Sequence, residues 1–164
     1  MSLSIRNVLT IVSMLGYYAS DAKDCPDNWT VDGTSCYLFG HQKLSFFSAE
    51  SYCNQHKGHL VHINGDQENT FIREHLRYMT GEHWWIGLTD DDIENTWLWY
   101  GTNEKAEYTD WAPGQPDDNG RNEDCVEFNM APGYGGHWND GPCDFHTFPI
   151  CERPFDDTDN VIVG

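Results

Sequence analysis

The chain has 164 residues, of which 38% are hydrophobic and 14% aromatic, which is enough for one compact domain with a buried core and too few for two. Acidic residues outnumber basic residues by 27 to 9, so the formal net charge is −18 at pH 7. This charge repels a polyanion such as DNA or RNA, and nucleic acid is therefore excluded as a partner.

The amino-terminal residues have the pattern of a secretory signal peptide. Residues 1–7 contain one Arg, residues 8–15 are mostly apolar, and Ser20 and Ala22 are small residues three and one before a cleavage point. The apolar run of about 9 residues is far shorter than the ~20 that cross a bilayer. We predict a signal peptide at residues 1–22, a secreted domain at residues 23–153 and a flexible acidic tail at residues 154–164, with no membrane span.

The first half of the domain carries one hairpin pattern and two helix patterns. Residues 25–39 form a predicted hairpin around the turn signal Asp32-Gly33. Residues 45–56 form a predicted helix, because apolar residues recur there at helical spacing. Asp66 is the predicted cap of a second helix. The inward face of that helix is predicted to contain Ile72, Leu76 and Met79.

From residue 84 onward the pattern changes to short aromatic strands separated by clusters of Gly, Pro, Asn and Asp. The runs Trp84-Trp85 and Trp97-Leu98-Trp99-Tyr100 have two interpretations, a platform on which a sugar stacks or the buried core of a sheet. Core packing is favoured, because large alternating apolar residues in strands are usually buried. Two helices packed on antiparallel sheets, an α+β fold, fit this order of elements.

The six cysteines predict three disulfides in a small secreted domain, with no thiol left over for a covalent dimer. Sequence alone does not choose among the possible pairings. Zinc is the competing use of cysteine, but the chain has no Cys-x-x-Cys pair and the secretory compartment is oxidising. Any homo-oligomer is therefore expected to be non-covalent.

Oxygen-bearing side chains are concentrated in two short segments of the carboxyl-terminal half. Gln115 and Asp117 flank a proline, Glu123 follows them, and Asn139 and Asp140 are adjacent. Carboxylates and carboxamides are typical ligands of Ca²⁺, which takes about 6 to 8 oxygens. The segments therefore predict an oxygen cage for Ca²⁺. A position that the cage leaves open could be filled by hydroxyl groups of a sugar.

The chain resembles the C-type lectin carbohydrate-recognition domain, from about Cys25 to Cys151. The motifs that carry the resemblance are Trp85-Ile86-Gly87-Leu88, Gln115-Pro116-Asp117, Glu123-Asp124-Cys125 and Trp138-Asn139-Asp140. The likeness is to secreted single-domain invertebrate members with a Gln-Pro-Asp motif, perlucin-like proteins among them. It implies an α+β fold of two helices and antiparallel sheets, with a long calcium-binding loop region and three disulfides.

The resemblance also implies roles for individual residues. The implied disulfides are Cys25 with Cys36, Cys53 with Cys151, and Cys125 with Cys143. The implied main Ca²⁺ site consists of Gln115, Asp117, Glu123, Asn139 and Asp140, with a cis Pro116 and a buried Trp138 beneath them. The implied auxiliary Ca²⁺ site consists of Asp90, Glu94, Asp118 and Asp124. A solvated acidic turn without an ion is the alternative for these last residues.

The expected ligand is a sugar that coordinates the main ion. In the family, two adjacent sugar hydroxyls bind Ca²⁺ and hydrogen-bond its ligands, so the five main-site residues are also the expected sugar-binding residues. The order Gln115, Asp117 is associated with galactose or N-acetylgalactosamine. Strong galactose binders carry a Trp just after this motif, and residues 118–122 contain no aromatic, which leaves mannose-type or mixed specificity open. Tyr134, in a glycine-rich segment, could supply the missing ring.

Two biological roles remain open at the level of sequence. Calcium-dependent glycan recognition, in innate immunity or agglutination, follows from the expected sugar site. An acidic extracellular-matrix or biomineralisation protein of the perlucin type is the alternative, because acidity and calcium affinity also suit a mineral surface. Asn28-Trp29-Thr30 is in addition an acceptor sequence for N-glycosylation of Asn28.

The sequence does not predict an enzyme. Glu127 and Asp144 could be paired as catalytic carboxylates, but no nucleophile or acid–base motif accompanies them. The eight histidines form no metal-spaced pair of a known type. Of these histidines, only His137, beside Trp138, is a candidate for contact with a ligand.

Overall fold

The computed structural model describes residues 25–155. The predicted signal peptide and residues 156–164 of the predicted tail lie outside this range. Within it, two α-helices and nine β-strands are present, and no helix between residues 25 and 155 is long and apolar enough to cross a bilayer. In chain order the elements are β1 (Thr30–Asp32), β2 (Ser35–Phe39), α1 (Phe46–Gln55), β3 (His59–Leu60), α2 (Asp66–Leu76), β4 (His83–Thr89), β5 (Leu98–Trp99), β6 (Glu104–Lys105), β7 (Cys125–Asn129), β8 (His137–Gly141) and β9 (Phe148–Pro154).

The two helices form where the apolar spacing predicts them. The buried face of α1 contains Phe46, Ala49 and Cys53, which recur three and four residues apart. In α2, Ile72 and Leu76 are buried as expected. The predicted cap of α2 was wrong by one residue: Gly65 is the N-cap, and Asp66 lies in the first turn, where its negative charge suits the positive end of the helix dipole.

The sheet is mixed, which corrects the purely antiparallel arrangement expected from sequence. The central strand β4 runs antiparallel to β5 and β7 but parallel to β9, with Trp84 opposite Phe148. Strand β7 in turn pairs with β8 in an antiparallel ladder. A parallel pair is invisible in the alternation of a single strand, because it depends on a connection between distant segments. Among the strands between residues 25 and 155, β8 pairs only with β7, so it lies at the edge of this part of the sheet.

Three tryptophans of the aromatic runs are buried, which confirms the interpretation as packing for them, whereas Trp97 is half-buried and Tyr100 is exposed. Trp84, Trp85 and Trp99 are at most 2% exposed. Trp84 and Trp99 belong to one apolar cluster with the inner face of α2, whereas Trp85 belongs to a second cluster with the inner face of α1. The α+β fold of two helices on a sheet is confirmed.

Three disulfides join the pairs that the resemblance implies. They are Cys25–Cys36, Cys53–Cys151 and Cys125–Cys143, and they use all six cysteines of the chain. The bond between Cys53 and Cys151 ties α1 to β9 across 98 residues of chain. Closing a loop of this length in the unfolded chain stabilises the fold by about 4 to 5 kcal/mol on the chain-entropy model.

His62 is a buried imidazole in the core of the sheet. Its ring stacks on Trp99 with 4.9 Å between centroids, and it lies 4.3 Å from the ring of His59. Burial first, and then the nearby charge of His59, lower the pKa of His62 from 6.5 to about 4. The folded protein therefore keeps this ring neutral at pH values where the unfolded chain protonates it.

We predict that this histidine makes the protein acid-sensitive. Between pH 6.5 and pH 4 the unfolded chain binds a proton that the folded chain does not, so the free energy of unfolding should fall by about 3 kcal/mol across that window and should not change through His62 above it. Urea unfolding at several pH values measures the slope. His62→Phe should remove this part of the slope, whereas His146→Phe, at an exposed position, should retain it; equal slopes for both variants would contradict the prediction.

Candidate functional site

Three carboxylates converge at the end of β8. Ligand oxygens of Asp117, Glu123 and Asp140 all lie within 4.8 Å of one another. Among residues 25–155 this is the one group of three or more acidic, histidine or cysteine side chains that is compact enough to hold a metal ion. Asp140 is fully buried, Glu123 is half-buried and Asp117 is exposed, so the cluster opens to solvent on one side.

The loop between residues 115 and 123 is folded around these carboxylates. The buried carboxylate of Asp140 accepts the backbone N–H groups of Asp117 at 3.1 Å and Asp118 at 2.8 Å. Glu123 Oε2 accepts the N–H of Asn119 at 2.9 Å, which closes the loop from the other side. The peptide bond between Gln115 and Pro116 is cis. The sequence therefore builds one concave set of acceptors from segments that are more than a dozen residues apart.

The acceptors fit a hard cation. The side-chain oxygen of Gln115 is buried and has no hydrogen-bond donor, which is rare for a buried polar atom. Burial, and then the negative charges of Asp140 and Asp117, raise the pKa of Glu123 above its ordinary value, although the N–H of Asn119 acts in the opposite direction. An unpaired carbonyl oxygen beside crowded carboxylates is the environment that oxygen-ligated Ca²⁺ compensates.

A second acidic group lies beside the first, on the loop after β4. Asp90 is 4% exposed; its Oδ2 accepts the N–H of Asn95 at 2.8 Å, whereas its Oδ1 is buried without a partner. Burial first, and then the charges of Glu94 and Asp124, raise the pKa of Asp90 to about 6. Burial and the charges of Asp91 and Asp118 likewise raise the pKa of Asp124. These charge effects connect Asp90 with Glu94 and Asp124, and Asp124 with Asp118, but the four auxiliary residues do not form a group as compact as the first one in the described part of the chain.

An open cleft of about 190 Å³ separates the two acidic groups. Its lining consists of Glu94, Asn95, Trp97, Pro116, Asp117, Asp118 and Asp140. The cleft is polar and shallow, so it suits a small hydrated ligand or ion better than a large apolar molecule.

Trp138 lies beneath the site, as the resemblance implies, and it belongs to a polar network that sequence reasoning missed. The fully buried indole donates its N–H to Asn69 Oδ1 at 3.0 Å, and Asn69 Nδ2 donates to Asp110 at 2.7 Å. Asp110 also forms a salt bridge with Arg73 and accepts a hydrogen bond from His137 Nδ1 at 2.9 Å. The network ties α2 to β8, the strand that carries Asn139 and Asp140.

One signal could have pointed to this network. Asn69 occurs at the helical spacing of Ile72 and Leu76, and it is fully buried on the same face. A polar residue on the inward face of a helix needs a buried partner. The partner itself, Asp110, could not be found from sequence, because it lies 41 residues further along the chain.

The remaining predicted residues lie apart from the carboxylate cluster. Tyr134 occupies the turn between β7 and β8, at the end of the ladder where Asn129 pairs with His137, whereas Glu123 precedes the opposite end. The structure therefore does not bring Tyr134 to the cluster. His137 points to Asp110. Asn28 is exposed in the turn before β1.

Comparison with known proteins decides the family. Residues 42–153 match the lectin C-type domain. The chain belongs to the C-type lectin domain family. Domains of this family bind carbohydrate and are not enzymes, so the prediction that the chain is not an enzyme is confirmed, and Glu127 and Asp144 have no catalytic role.

Known C-type lectins match most of the chain. Asialoglycoprotein receptor 2 of Mus musculus is 36% identical over 151 residues, which cover 88% of this chain but 47% of the receptor. Perlucin of Haliotis laevigata is 38% identical over 131 residues, which cover 79% of this chain and 83% of perlucin. The carbohydrate-recognition domain of the mouse scavenger receptor C-type lectin has a TM-score of 0.73 at 35% identity, covering 81% of this chain and 100% of that domain. The chain thus spans about half the length of the receptor.

We predict that the polar network contributes strongly to the stability of this C-type lectin domain. Asp110→Ala leaves Arg73 without its carboxylate in a site that is mostly shielded from water, so the free energy of unfolding should fall by about 3 kcal/mol. Glu74→Ala, which breaks the exposed pair with Arg77, is the matched control and should cost less than about 1 kcal/mol. Urea unfolding measures both; similar losses for the two variants would refute a special role for Asp110.

Proposed function

We propose that the chain is a secreted lectin that binds galactose-type glycans through Ca²⁺. The observation that carries the proposal is the cluster of Asp117, Glu123 and Asp140, whose oxygens lie within 4.8 Å of one another; Gln115, two residues before Asp117, has a buried side-chain oxygen without a partner. A buried acceptor without a donor and mutually repelling carboxylates are costly unless a cation is bound. Membership of a carbohydrate-binding family supplies the ligand class.

The proposed main site consists of Gln115, Asp117, Glu123, Asn139 and Asp140. When bound, Ca²⁺ supplies coordination positions that two neighbouring hydroxyls of a sugar can fill. The carboxylates accept hydrogen bonds from those hydroxyls, and the carboxamide of Gln115 can donate through its nitrogen. These acceptors and donors together would orient the sugar. Tyr134 is not part of this proposal, because it lies at the other end of β8.

The proposed auxiliary site consists of Asp90, Glu94, Asp118 and Asp124. Its support is the buried Oδ1 of Asp90, which has no partner, and the raised pKa of that carboxyl. Asp118 connects the two sites, because its Oδ1 accepts the backbone N–H of Glu123 at 3.3 Å. An ion held here would order the loop that carries the main-site residues.

The proposed sugar specificity depends on whether the acidic residue of the motif precedes or follows Pro116. Gln115 precedes the proline and Asp117 follows it, the order associated with galactose or N-acetylgalactosamine in proteins that the chain resembles. Mannose-type or mixed specificity is the second candidate, because no aromatic ring lies between residues 118 and 122 to stack on a galactose face.

The proposed location is extracellular, with residues 1–22 as a signal peptide and an acidic tail that begins after β9, which extends to Pro154 and so ends one residue later than the predicted domain. Three disulfides support this, because such bonds persist in oxidising compartments. Exposure of Asn28 would allow its glycosylation. A shallow site binds single sugars weakly, so several copies in a non-covalent homo-oligomer would be needed for firm attachment to a glycan-covered surface.

A role in a mineralised or other extracellular matrix is the second candidate function. The observation that favours it is the likeness to perlucin, which extends over 83% of that protein, together with the net charge of −18. Binding to calcium carbonate crystals that persists in Asp117→Ala and in excess galactose would support the matrix role, because it would not depend on the sugar site.

We predict that the folded protein binds Ca²⁺ with a Kd of about 10⁻⁴ to 10⁻³ M, the range of extracellular modules. At a concentration of 100 Kd the ion should stabilise the fold by about 2.7 kcal/mol, an effect that chelation by EDTA reverses. Asp117→Ala should weaken the affinity by more than about tenfold, because it removes a ligand. Isothermal titration calorimetry measures the two affinities, with Glu74→Ala as the control, and urea unfolding with and without Ca²⁺ measures the stabilisation. A wild-type protein that gives no heat of calcium binding would refute the proposal.

We predict that galactose-agarose retains the protein in Ca²⁺ and releases it in EDTA. The paired change Gln115→Glu with Asp117→Asn moves the acid to the other side of Pro116, and it should transfer retention from galactose-agarose to mannose-agarose. Wild-type protein that passes through the galactose resin but is retained on the mannose resin would replace the galactose assignment with the mannose one.

A further inference from the structure

A buried carboxylate that the proposed sites do not use lies beside Asn139. The side chain of Glu127 is 5% exposed, and its Oε1 accepts three hydrogen bonds. The donors are His83 Nδ1 at 2.9 Å, Asn129 Nδ2 at 3.0 Å and Asn139 Nδ2 at 3.2 Å. Three hydrogen bonds from side-chain nitrogen atoms hold this buried carboxylate in one position.

The contact between Glu127 and Asn139 is fixed by the sheet. The two residues are directly opposite each other in the antiparallel ladder of β7 and β8. Opposed residues project from the same face of a sheet, with Cβ atoms about 4.5 to 5.5 Å apart. A slip of one residue would move every side chain of β8 to the other face, so the pairing of these two residues is as secure as the register itself.

The carboxylate of Glu127 can only accept hydrogen bonds, whereas the carboxamide of asparagine has a donating end and an accepting end. The nitrogen of Asn139 must therefore face Glu127, and its oxygen must point away from Glu127. Asn129 shows the same constraint, because its oxygen accepts the backbone N–H of Ala131 at 2.9 Å while its nitrogen donates to Glu127.

His83 holds Glu127 from the side opposite to Asn139. The hydrogen bond to Glu127 is the main cause that raises the pKa of His83, with the charge of Glu127 adding to it. A proton on Nδ1 is therefore favoured, and it keeps the carboxylate in place. The chain of contacts runs from β4 through β7 to β8.

We propose that Glu127 is a positioning residue that orients the Asn139 carboxamide with its oxygen toward the bound cation. The inference rests on the proposed calcium site, and it adds a residue outside the ligand set that controls the affinity of that site. Groups that hydrogen-bond a metal ligand and fix its orientation typically change metal affinity by about 10- to 100-fold when removed.

The test compares five variants by calcium calorimetry, below the unfolding temperature of each calcium-free protein. Glu127→Met removes the acceptor at similar length and should raise the Kd about tenfold. Glu127→Gln retains a carbonyl oxygen, so its Kd should stay within about threefold of wild type. Glu50→Met is the matched control: Glu50 is also a buried carboxylate, 8% exposed, and accepts from Asn54 Nδ2 and the N–H of Leu60. It should change the Kd less than about twofold, because Glu50 lies on α1 and its hydrogen bonds go to Asn54 and Leu60 rather than to a proposed calcium ligand.

The double variant Glu127→Met with Asn139→Asp separates orientation from general loosening. Both oxygens of a carboxylate are ligands, so Asp at position 139 needs no orienting partner, and the double variant should bind Ca²⁺ more tightly than Glu127→Met alone. In the presence of Glu127, Asn139→Asp alone should bind more weakly than wild type although it adds a negative ligand, because two carboxylates then face each other.

Several outcomes would overturn the proposal. They are an unchanged Kd for Glu127→Met, no recovery in the double variant, or tighter binding by Asn139→Asp alone. If Glu127→Met does not fold, the single variant Asn139→Asp still tests the proposal, because weaker calcium binding supports it and tighter calcium binding contradicts it. If the wild-type protein gives no heat of calcium binding, the proposed function itself is contradicted, and that result differs from all of the outcomes above.

Discussion

The candidate site depends on one buried carboxylate, that of Asp140. It is fully buried, and it accepts the backbone N–H groups of Asp117 and Asp118, which come from a loop more than twenty residues earlier in the chain. These bonds hold an otherwise irregular loop against the end of β8. Because the anchor is itself an anion, the loop is drawn toward a place where negative charge accumulates. The fold therefore creates the electrostatic cost that a bound cation removes.

The parts of the fold that were predicted from sequence are those with a local signal. The spacing of Phe46, Ala49 and Cys53 fixes the inner face of α1, because one helical period is short enough to appear in a single segment. Trp84 and Trp85 are large apolar residues in a strand, and burial is their usual state. The residues of the proposed calcium site were predicted through a motif, and the convergence of Asp117, Glu123 and Asp140 follows from the loop around Asp140.

The parts that were not predicted depend on pairs of residues far apart in the chain. Asp110 meets Asn69 across 41 residues, and Glu127 meets His83 across 44 residues. No local pattern marks such pairs: the register of β4 and β7 decides that Glu127 meets His83, and the packing of α2 decides that Asn69 meets Asp110. Tyr134 illustrates the converse: a ring that is near the ligands in sequence lies at the opposite end of the strand. Proximity along the chain is a poor guide within an antiparallel ladder.

The two halves of the site differ in how they are held. Asn139 and Asp140 lie on β8, which Glu127 and the network around Asp110 secure through direct hydrogen bonds and one salt bridge. Gln115 and Glu123 lie on the loop, which is held by backbone donors to carboxylates that themselves repel one another. The strand half is therefore preorganised without an ion, whereas the loop half is held by the carboxylates that form the proposed calcium site. A site built this way can bind a cation with modest affinity and still present a fixed face to a sugar, because the rigid strand sets the geometry and the loop closes onto it.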